Sequence, residues 1–192
     1  AAVDPDTGIL YVPSYNQPAV MSLYQPDPEL GATVAYTHGA PETDRLSRIR
    51  AGIGTGPQMP QGLPLVKPPY SRMSAIDLNT GDYAWQVPTG NGDRFRQHPR
   101  LRDLNLPALG GDGTRTGPVL TKTLLLDSLS AGGTNGGPRL VAYDKNNGDE
   151  LGSIDLPAGA LGTPMTYMVD DKQYIALGIG AGPRMIAFAL PD

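Results

Sequence analysis

The chain has 192 residues, and glycine (25) and proline (20) together make up close to a quarter of them. Both residues weaken helix interiors, so the composition argues against a helical bundle and favours short strands joined by turns. A net charge of −4 makes the chain a poor candidate for non-specific nucleic-acid binding, and the absence of cysteine excludes disulfides, cysteine-ligated metals and thiol nucleophiles.

The first predicted element is a strand at residues 9–12, which follows a turn at residues 6–8. A long loop at about 14–70 comes next, and almost none of it has the pattern of a strand. Its one helical candidate is residues 42–50. Loops of this length in a compact fold are usually functional or cover a neighbouring element.

The clearest structural unit lies at residues 74–88. A short alternating strand ends at Asp77, the turn Asn-Thr-Gly-Asp follows, and an aromatic, β-branched strand returns and ends at Pro88. Gly81 can supply the positive φ that the turn needs, and Asp77 can cap the turn by accepting its backbone N–H groups. A second long loop is predicted at about 90–115.

This unit recurs along the chain. The pattern Ala-x-Asp-x-x-(Thr/Asn)-Gly begins at Ala75 and again at Ala142, and a weaker copy begins at Ala2. Copies separated by more than one supersecondary unit are typical of a blade-like array. The repeat predicts that Asp77 and Asp144 are turn caps and not a catalytic pair of carboxylates.

The remaining strands complete an all-β prediction. Further strands are predicted at 118–126, 140–144, 151–156, 165–169, 173–177 and 185–190. With those above, this gives about nine short strands. Residues 1–192 are predicted to form a single partial domain, and we expect the chain to be a piece of a longer polypeptide.

Residues 75–85 resemble the tryptophan-docking motif of the pyrroloquinoline quinone (PQQ) dehydrogenases. The C-terminal half resembles the glucose/quinate type of that family more closely still. The runs that carry this resemblance are 67–70 (Lys-Pro-Pro-Tyr), 156–159 (Leu-Pro-Ala-Gly), 163–167 (Thr-Pro-Met-Thr-Tyr), 172–175 (Lys-Gln-Tyr-Ile) and 187–192 (Ala-Phe-Ala-Leu-Pro-Asp). The resemblance implies part of a β-propeller, the C-terminal two to three blades of eight, with Trp85 packed between neighbouring blades.

The same resemblance implies a periplasmic enzyme, with or without an inner-membrane anchor, that depends on PQQ and Ca²⁺. It would oxidise an alcohol group of a sugar or polyol and pass electrons to a quinone or cytochrome. This chain would contribute part of the cofactor funnel, with Tyr70, Gly136 and Gly137 as the candidate cofactor-binding residues. The catalytic base and the calcium ligands would lie upstream, so no catalytic or metal residue is predicted here. The fragment alone would be inactive and would pair with the remaining blades or with another chain.

Several departures from the family leave an alternative open. Gly152 stands where the second docking motif usually has Trp, and Asn147 stands where Thr is usual. The loop at 178–184 is short and has no His, and Arg139 does not align with the Arg that the family has in this region. The alternative is a non-catalytic PQQ-repeat propeller that acts as a scaffold or binding module in the bacterial envelope.

Overall fold

The computed structural model describes residues 1–18, 23–26, 29, 31, 33–38, 59, 61–180, 182 and 184–189. The chain divides into two compact units, residues 16–67 and the rest. A single domain over 1–192 stays a prediction. The described residues contain thirteen strands and one short helix: β1 (Ala2–Asp4), β2 (Ile9–Tyr15), β3 (Leu23–Tyr24), β4 (Thr37–His38), β5 (Ser71–Asp77), β6 (Tyr83–Pro88), α1 (Asp93–Arg96), β7 (Val119–Leu120), β8 (Leu124–Leu129), β9 (Arg139–Asp144), β10 (Glu150–Asp155), β11 (Met165–Val169), β12 (Lys172–Ile179) and β13 (Arg184–Ala189).

The all-β prediction is confirmed, and all nine predicted strands are present. Three additional strands, β1, β3 and β4, have only two or three residues each. The predicted strand at 118–126 is two strands, because the Thr121 side chain accepts the N–H of Leu124 and closes a tight turn between them. The helix predicted at 42–50 lies outside the described residues. Among the residues that are described, no helix is long and apolar enough to cross a membrane.

The larger unit contains three antiparallel sheets. The first has the strand order β1-β2-β5-β6, the second β7-β8-β9-β10 and the third β11-β12-β13. Successive strands in each sheet run in opposite directions. The turns that follow β1, β5, β7, β9 and β11 lie at one end, which we call the turn end. The longer connections 89–118, 130–138 and 156–164 leave from the other end, the loop end. In the smaller unit β3 pairs with β4.

The second sheet carries an apolar core on each of its faces. One core contains residues of the first and second sheets, among them Tyr11, Met73, Leu125 and Val141. The other core contains residues of the second and third sheets, among them Leu126 and Leu177. Side chains alternate along a strand, so neighbouring leucines on β8 enter opposite cores. The first strands β1 and β7 are in contact, so the first two sheets adjoin on that side.

The turn between β9 and β10, which contains Lys145, links the first sheet to the second. The indole N–H of Trp85 donates to the carbonyl oxygen of Lys145 at 3.0 Å, and the hydroxyl of Tyr11 donates to the same oxygen at 3.1 Å. The ammonium of Lys145 pairs with the buried carboxylate of Asp4 at 2.6 Å, and this contact lowers the pKa of Asp4. The structural role that the resemblance implied for Trp85 is therefore confirmed.

The two repeated aspartates cap their turns, as predicted. Asp77 accepts the backbone N–H of Asn79 at 2.8 Å, and Asp144 accepts that of Asn146 at 2.8 Å. Each turn has a glycine at positive φ, 82° at Gly81 and 79° at Gly148. These carboxylates are occupied in local hydrogen bonds and are not a catalytic pair.

Candidate functional site

The first strands of the three sheets begin close together at the loop end. Gly117, which precedes β7, donates its backbone N–H to the hydroxyl of Thr163, which precedes β11, at 3.0 Å. A Cβ placed on Gly117 would lie 2.8 Å from that hydroxyl oxygen and 3.8 Å from the backbone nitrogen of Ala1, which precedes β1. Glycine at this position therefore allows three chain segments to meet.

A cleft of about 450 Å³ opens at this meeting point, and we call it the hub cleft. Its wall combines one guanidinium group, three threonine hydroxyls and one phenol with an apolar surface. The lining residues are Ala1, Val12, Pro13, Tyr15, Thr114, Arg115, Thr116, Gly117 and Thr163. The loop end of the first sheet and the segment between α1 and β7 thus supply most of the site.

The segment that carries the threonines is fixed to the second sheet. Thr114 donates its hydroxyl to the carbonyl oxygen of Ser128 at 2.8 Å, and its oxygen contacts the buried hydroxyl of Thr116. Arg115 lies between these two residues and is exposed. It forms no hydrogen bond or ion pair with any residue that the structure describes. The chain therefore holds an arginine at the cleft without neutralising it.

Tyr15 is a neutral hydrogen-bond donor in this cleft. Burial, together with the nearby charge of Asp127, raises the pKa of Tyr15 to about 12. A phenol keeps its proton at neutral pH even at its ordinary pKa of 10, so this hydroxyl can donate a hydrogen bond. A guanidinium and hydroxyl donors, with no carboxylate among the described lining residues, suit a ligand that carries an anionic oxygen such as a carboxylate.

The residues predicted from sequence to bind the cofactor lie elsewhere in the larger unit. The Tyr70 ring packs against Phe95 with their centroids 4.4 Å apart, and its backbone N–H donates to the carbonyl oxygen of Leu109 at 2.8 Å. Gly136 and Gly137 lie in the loop between β8 and β9, with open space where a Cβ would project. The described contacts do not bring Tyr70 together with the two glycines, and none of the three lines the hub cleft. Their role in cofactor binding stays a prediction.

The polar residues of the hub cleft were not among the site residues predicted from the sequence. One weak signal could have found them, because Thr116-Gly-Pro and Thr163-Pro each precede the first strand of a sheet. Asp112, a loop carboxylate, is buried and accepts the backbone N–H of Gly92 at 2.9 Å. That bond gives it a structural role between two loop segments.

The chain matches the model of one protein family. The family model described as "PQQ: Glucose/ethanol/alcohol dehydrogenase, beta-propeller domain" matches residues 1–175. This match and the stacked antiparallel sheets confirm the prediction of a partial β-propeller.

Curated relatives include enzymes of the type that the resemblance indicated. The chain is 32% identical over 145 residues to quinoprotein glucose dehydrogenase of Escherichia coli (strain K12), covering 69% of the chain and 17% of that protein. It is 32% identical over 142 residues to the quinate/shikimate dehydrogenase (quinone) of Acinetobacter baylyi (strain ATCC 33305 / BD413 / ADP1), covering 67% of the chain and 16% of that protein. The chain thus spans about a sixth of the length of these relatives.

Among solved structures, quinohemoprotein alcohol dehydrogenase from Comamonas testosteroni is similar with a TM-score of 0.53 at 21% identity. The match covers 95% of this chain and 22% of that one. At this identity the likeness concerns the fold.

Proposed function

The chain belongs to the PQQ-dependent glucose/ethanol/alcohol dehydrogenase β-propeller family, and from that membership we propose that it forms part of the cofactor-site wall in a sugar or polyol dehydrogenase. The enzyme oxidises an alcohol group of its substrate and passes the electrons to a quinone or cytochrome. We also propose a periplasmic location. The glucose and quinate dehydrogenases among its relatives support a hydroxylated substrate.

The hub cleft fits PQQ in chemical type. PQQ is a planar quinone with several carboxylates, so its periphery offers anionic and carbonyl oxygens to hydrogen-bond donors. Arg115 would hold a carboxylate, and the hydroxyls of Thr116 and Thr163 would accept or donate hydrogen bonds beside it. When bound, PQQ supplies the oxidising chemistry by accepting a hydride from the alcohol carbon. The unpaired Arg115 in this cleft is the observation that carries the assignment.

The other lining residues prepare the cleft for such a ligand. Tyr15 carries its phenolic proton at neutral pH and can donate a hydrogen bond to a ligand in the cleft. Val12 and Pro13 give an apolar wall that excludes water, which strengthens charge-assisted hydrogen bonds. We propose that the enzyme also needs Ca²⁺, with ligands outside this chain. Within the described residues, no three His, Asp or Glu side chains come together as a metal site.

We propose that the third sheet packs against further blades of the propeller. On one face of this sheet three large apolar side chains of β11 and β13 are exposed: Met165, Val169 and Met185. Exposed apolar surface of this kind is typical of an interaction face. The partners are the remaining blades or another chain that supplies an equivalent sheet.

We expect the full-length protein to reduce an artificial electron-accepting dye with glucose or a polyol only after both PQQ and Ca²⁺ are added. Arg115→Ala should raise the PQQ concentration for half-maximal activity by about tenfold to a hundredfold, because it removes a charge-assisted contact. Arg102→Ala is the matched control, since Arg102 is exposed, pairs with Asp103 at 3.6 Å and lies outside the cleft. Its PQQ requirement should equal that of the wild type.

Two results would contradict the proposal. If PQQ changes neither the absorbance of the protein nor its dye reduction, the non-catalytic scaffold is the better description. If PQQ activates the enzyme and Arg115→Ala has the wild-type requirement, the hub cleft is not where this chain meets the cofactor.

A further inference from the structure

A second cleft lies on the far side of the first two sheets, next to their fourth strands. We call it the outer cleft. It has a volume of about 290 Å³, and its lining includes Val87 and Pro88 of β6, Arg139 and Tyr143 of β9, and Glu150 of β10. It shares no lining residue with the hub cleft. Nothing in the proposed function uses it.

Tyr143 brings an unsatisfied hydroxyl group to the outer cleft. The side chain belongs to the core between the first two sheets and is 2% exposed, yet its hydroxyl has no hydrogen-bond partner among the described residues. Tyr11 in the same core shows the usual arrangement, because its hydroxyl donates to the carbonyl oxygen of Lys145. A buried hydroxyl without a partner is costly, and each such case calls for a specific explanation.

Arg139 also lines the outer cleft and carries a second unmatched donor. Its two terminal nitrogens pair with the carboxylate of Glu150, one of them at 3.1 Å, while its buried Nε, which lies beside Gly132, has no partner in the part of the chain that the structure describes. Glu150 stands directly opposite Tyr143 in the register of β9 and β10. The ion pair therefore directs the guanidinium along the strand toward Tyr143, so the two side chains border the same region of the cleft.

The charges and donors of the outer cleft select the type of ligand. Arg139 and Glu150 neutralise each other, and Asp149 leaves one negative charge in excess, which disfavours an anion. An ammonium group has no acceptor to offer the Nε–H of Arg139, which can only donate. A neutral hydroxylated compound satisfies both conditions, since its oxygens accept from these donors and its protons can go to carboxylate oxygens.

We propose that the outer cleft binds a neutral polyhydroxy compound of the size of a monosaccharide or a short linear polyol, with its oxygens on Tyr143 and Arg139. Val87, Pro88 and Ala108 give the apolar surface against which the C–H face of such a compound packs. The site is separate from the cofactor cleft, so it does not depend on the proposed function.

The test uses the full-length protein prepared without PQQ, so that no substrate is oxidised. Isothermal titration calorimetry with D-sorbitol and with methyl α-D-glucopyranoside should show binding to the wild type. Tyr143→Phe removes only the hydroxyl and should weaken binding by about tenfold or more. Ala108→Phe fills the cleft from an exposed position and should weaken binding as strongly. D-Gluconate, an anion of similar size, should bind more weakly than sorbitol.

Tyr11→Phe is the matched control, because it removes a satisfied tyrosine hydroxyl from the same core and should leave sorbitol affinity unchanged. Without ligand, Tyr143→Phe should unfold at the same temperature as the wild type or higher, since it removes an unsatisfied polar atom. The proposal is overturned if neither compound binds, or if Tyr143→Phe and Ala108→Phe bind them like the wild type. It is also overturned if only Arg115→Ala abolishes binding, which would place these compounds in the hub cleft.

Discussion

Gly148→Ala should lower the free energy of unfolding by about 3 kcal/mol or more, whereas Gly81→Ala should lower it by only about 1 kcal/mol. The two glycines occupy equivalent turns at nearly equal positive φ, so both substitutions carry the same backbone cost. They differ in what a new methyl group would meet. At Gly148 it would lie 2.7 Å from Trp85 Cε3 and 2.9 Å from Val87 Cγ1, whereas at Gly81 nothing lies within 4 Å.

The additional loss at Gly148 comes from the contact between the first two sheets. The indole must move away from the turn, which weakens its hydrogen bond to the carbonyl oxygen of Lys145 and its packing against Tyr11, whose ring centroid is 5.9 Å from that of the indole. Denaturant unfolding of the full-length protein and of both variants, followed by circular dichroism, measures the difference. Equal losses for the two variants would show that Trp85 does not depend on close approach to this turn.

Asp127→Asn should make the protein more stable at pH 8 by up to about 4 kcal/mol and should change its stability little at pH 4. Asp127 is almost fully buried on β8, and burial raises its pKa to about 7 from an ordinary value of 3.8. The backbone N–H of Ser128 donates to its Oδ1 at 2.9 Å. Asparagine keeps this acceptor and removes the buried charge.

The direction of this pH dependence follows from proton binding. Between about pH 4 and pH 7 the folded protein holds the proton on Asp127 and the unfolded chain has released it, so raising the pH through this window destabilises the fold. Above pH 7 the full cost of a buried carboxylate near Tyr15 and Tyr143 is present. Urea unfolding at a series of pH values, for the wild type and for Asp127→Asn, isolates the contribution of this one group.

Asp103→Asn serves as the control for the pH series, because Asp103 is exposed in the loop after α1. Its stability should follow the wild type at every pH. If the difference between wild type and Asp127→Asn is the same at pH 4 and pH 8, the carboxyl group does not titrate in the folded protein within this range. The stated origin of the effect would then be wrong.

The parts of the fold that depend on local interactions could be predicted from the sequence. The hairpins β5–β6 and β9–β10 each have an aspartate cap and a glycine at positive φ within eight residues, so one short window contains the whole signal. Strands β3 and β4 were missed because two residues are too few to show alternation. The resemblance to a known family supplied the role of Trp85, which no local pattern specifies.

The candidate site could not be predicted in the same way. Arg115 and Thr163 line one cleft although they are far apart in the sequence, and only the stacking of whole sheets brings their segments together at Gly117. No periodicity in the sequence indicates which strands will begin next to one another in the folded protein. The sequence also does not show that the hydroxyl of Tyr143 and the Nε of Arg139 are without partners among the described residues, because this depends on how the side chains pack.

Lys145 is held mainly through its main chain, because its carbonyl oxygen accepts the hydrogen bonds of Trp85 and Tyr11, while among the described residues its side chain forms a hydrogen bond with Asp4 alone. Any amino acid at this position offers the same oxygen, so two of these three attachments tolerate a change of side chain. The number of residues between Asp144 and Gly148 is the stricter requirement. Inserting or deleting one residue there would move this carbonyl oxygen beyond hydrogen-bonding distance of Trp85 and Tyr11. The first and second sheets would then lose two of the hydrogen bonds between them.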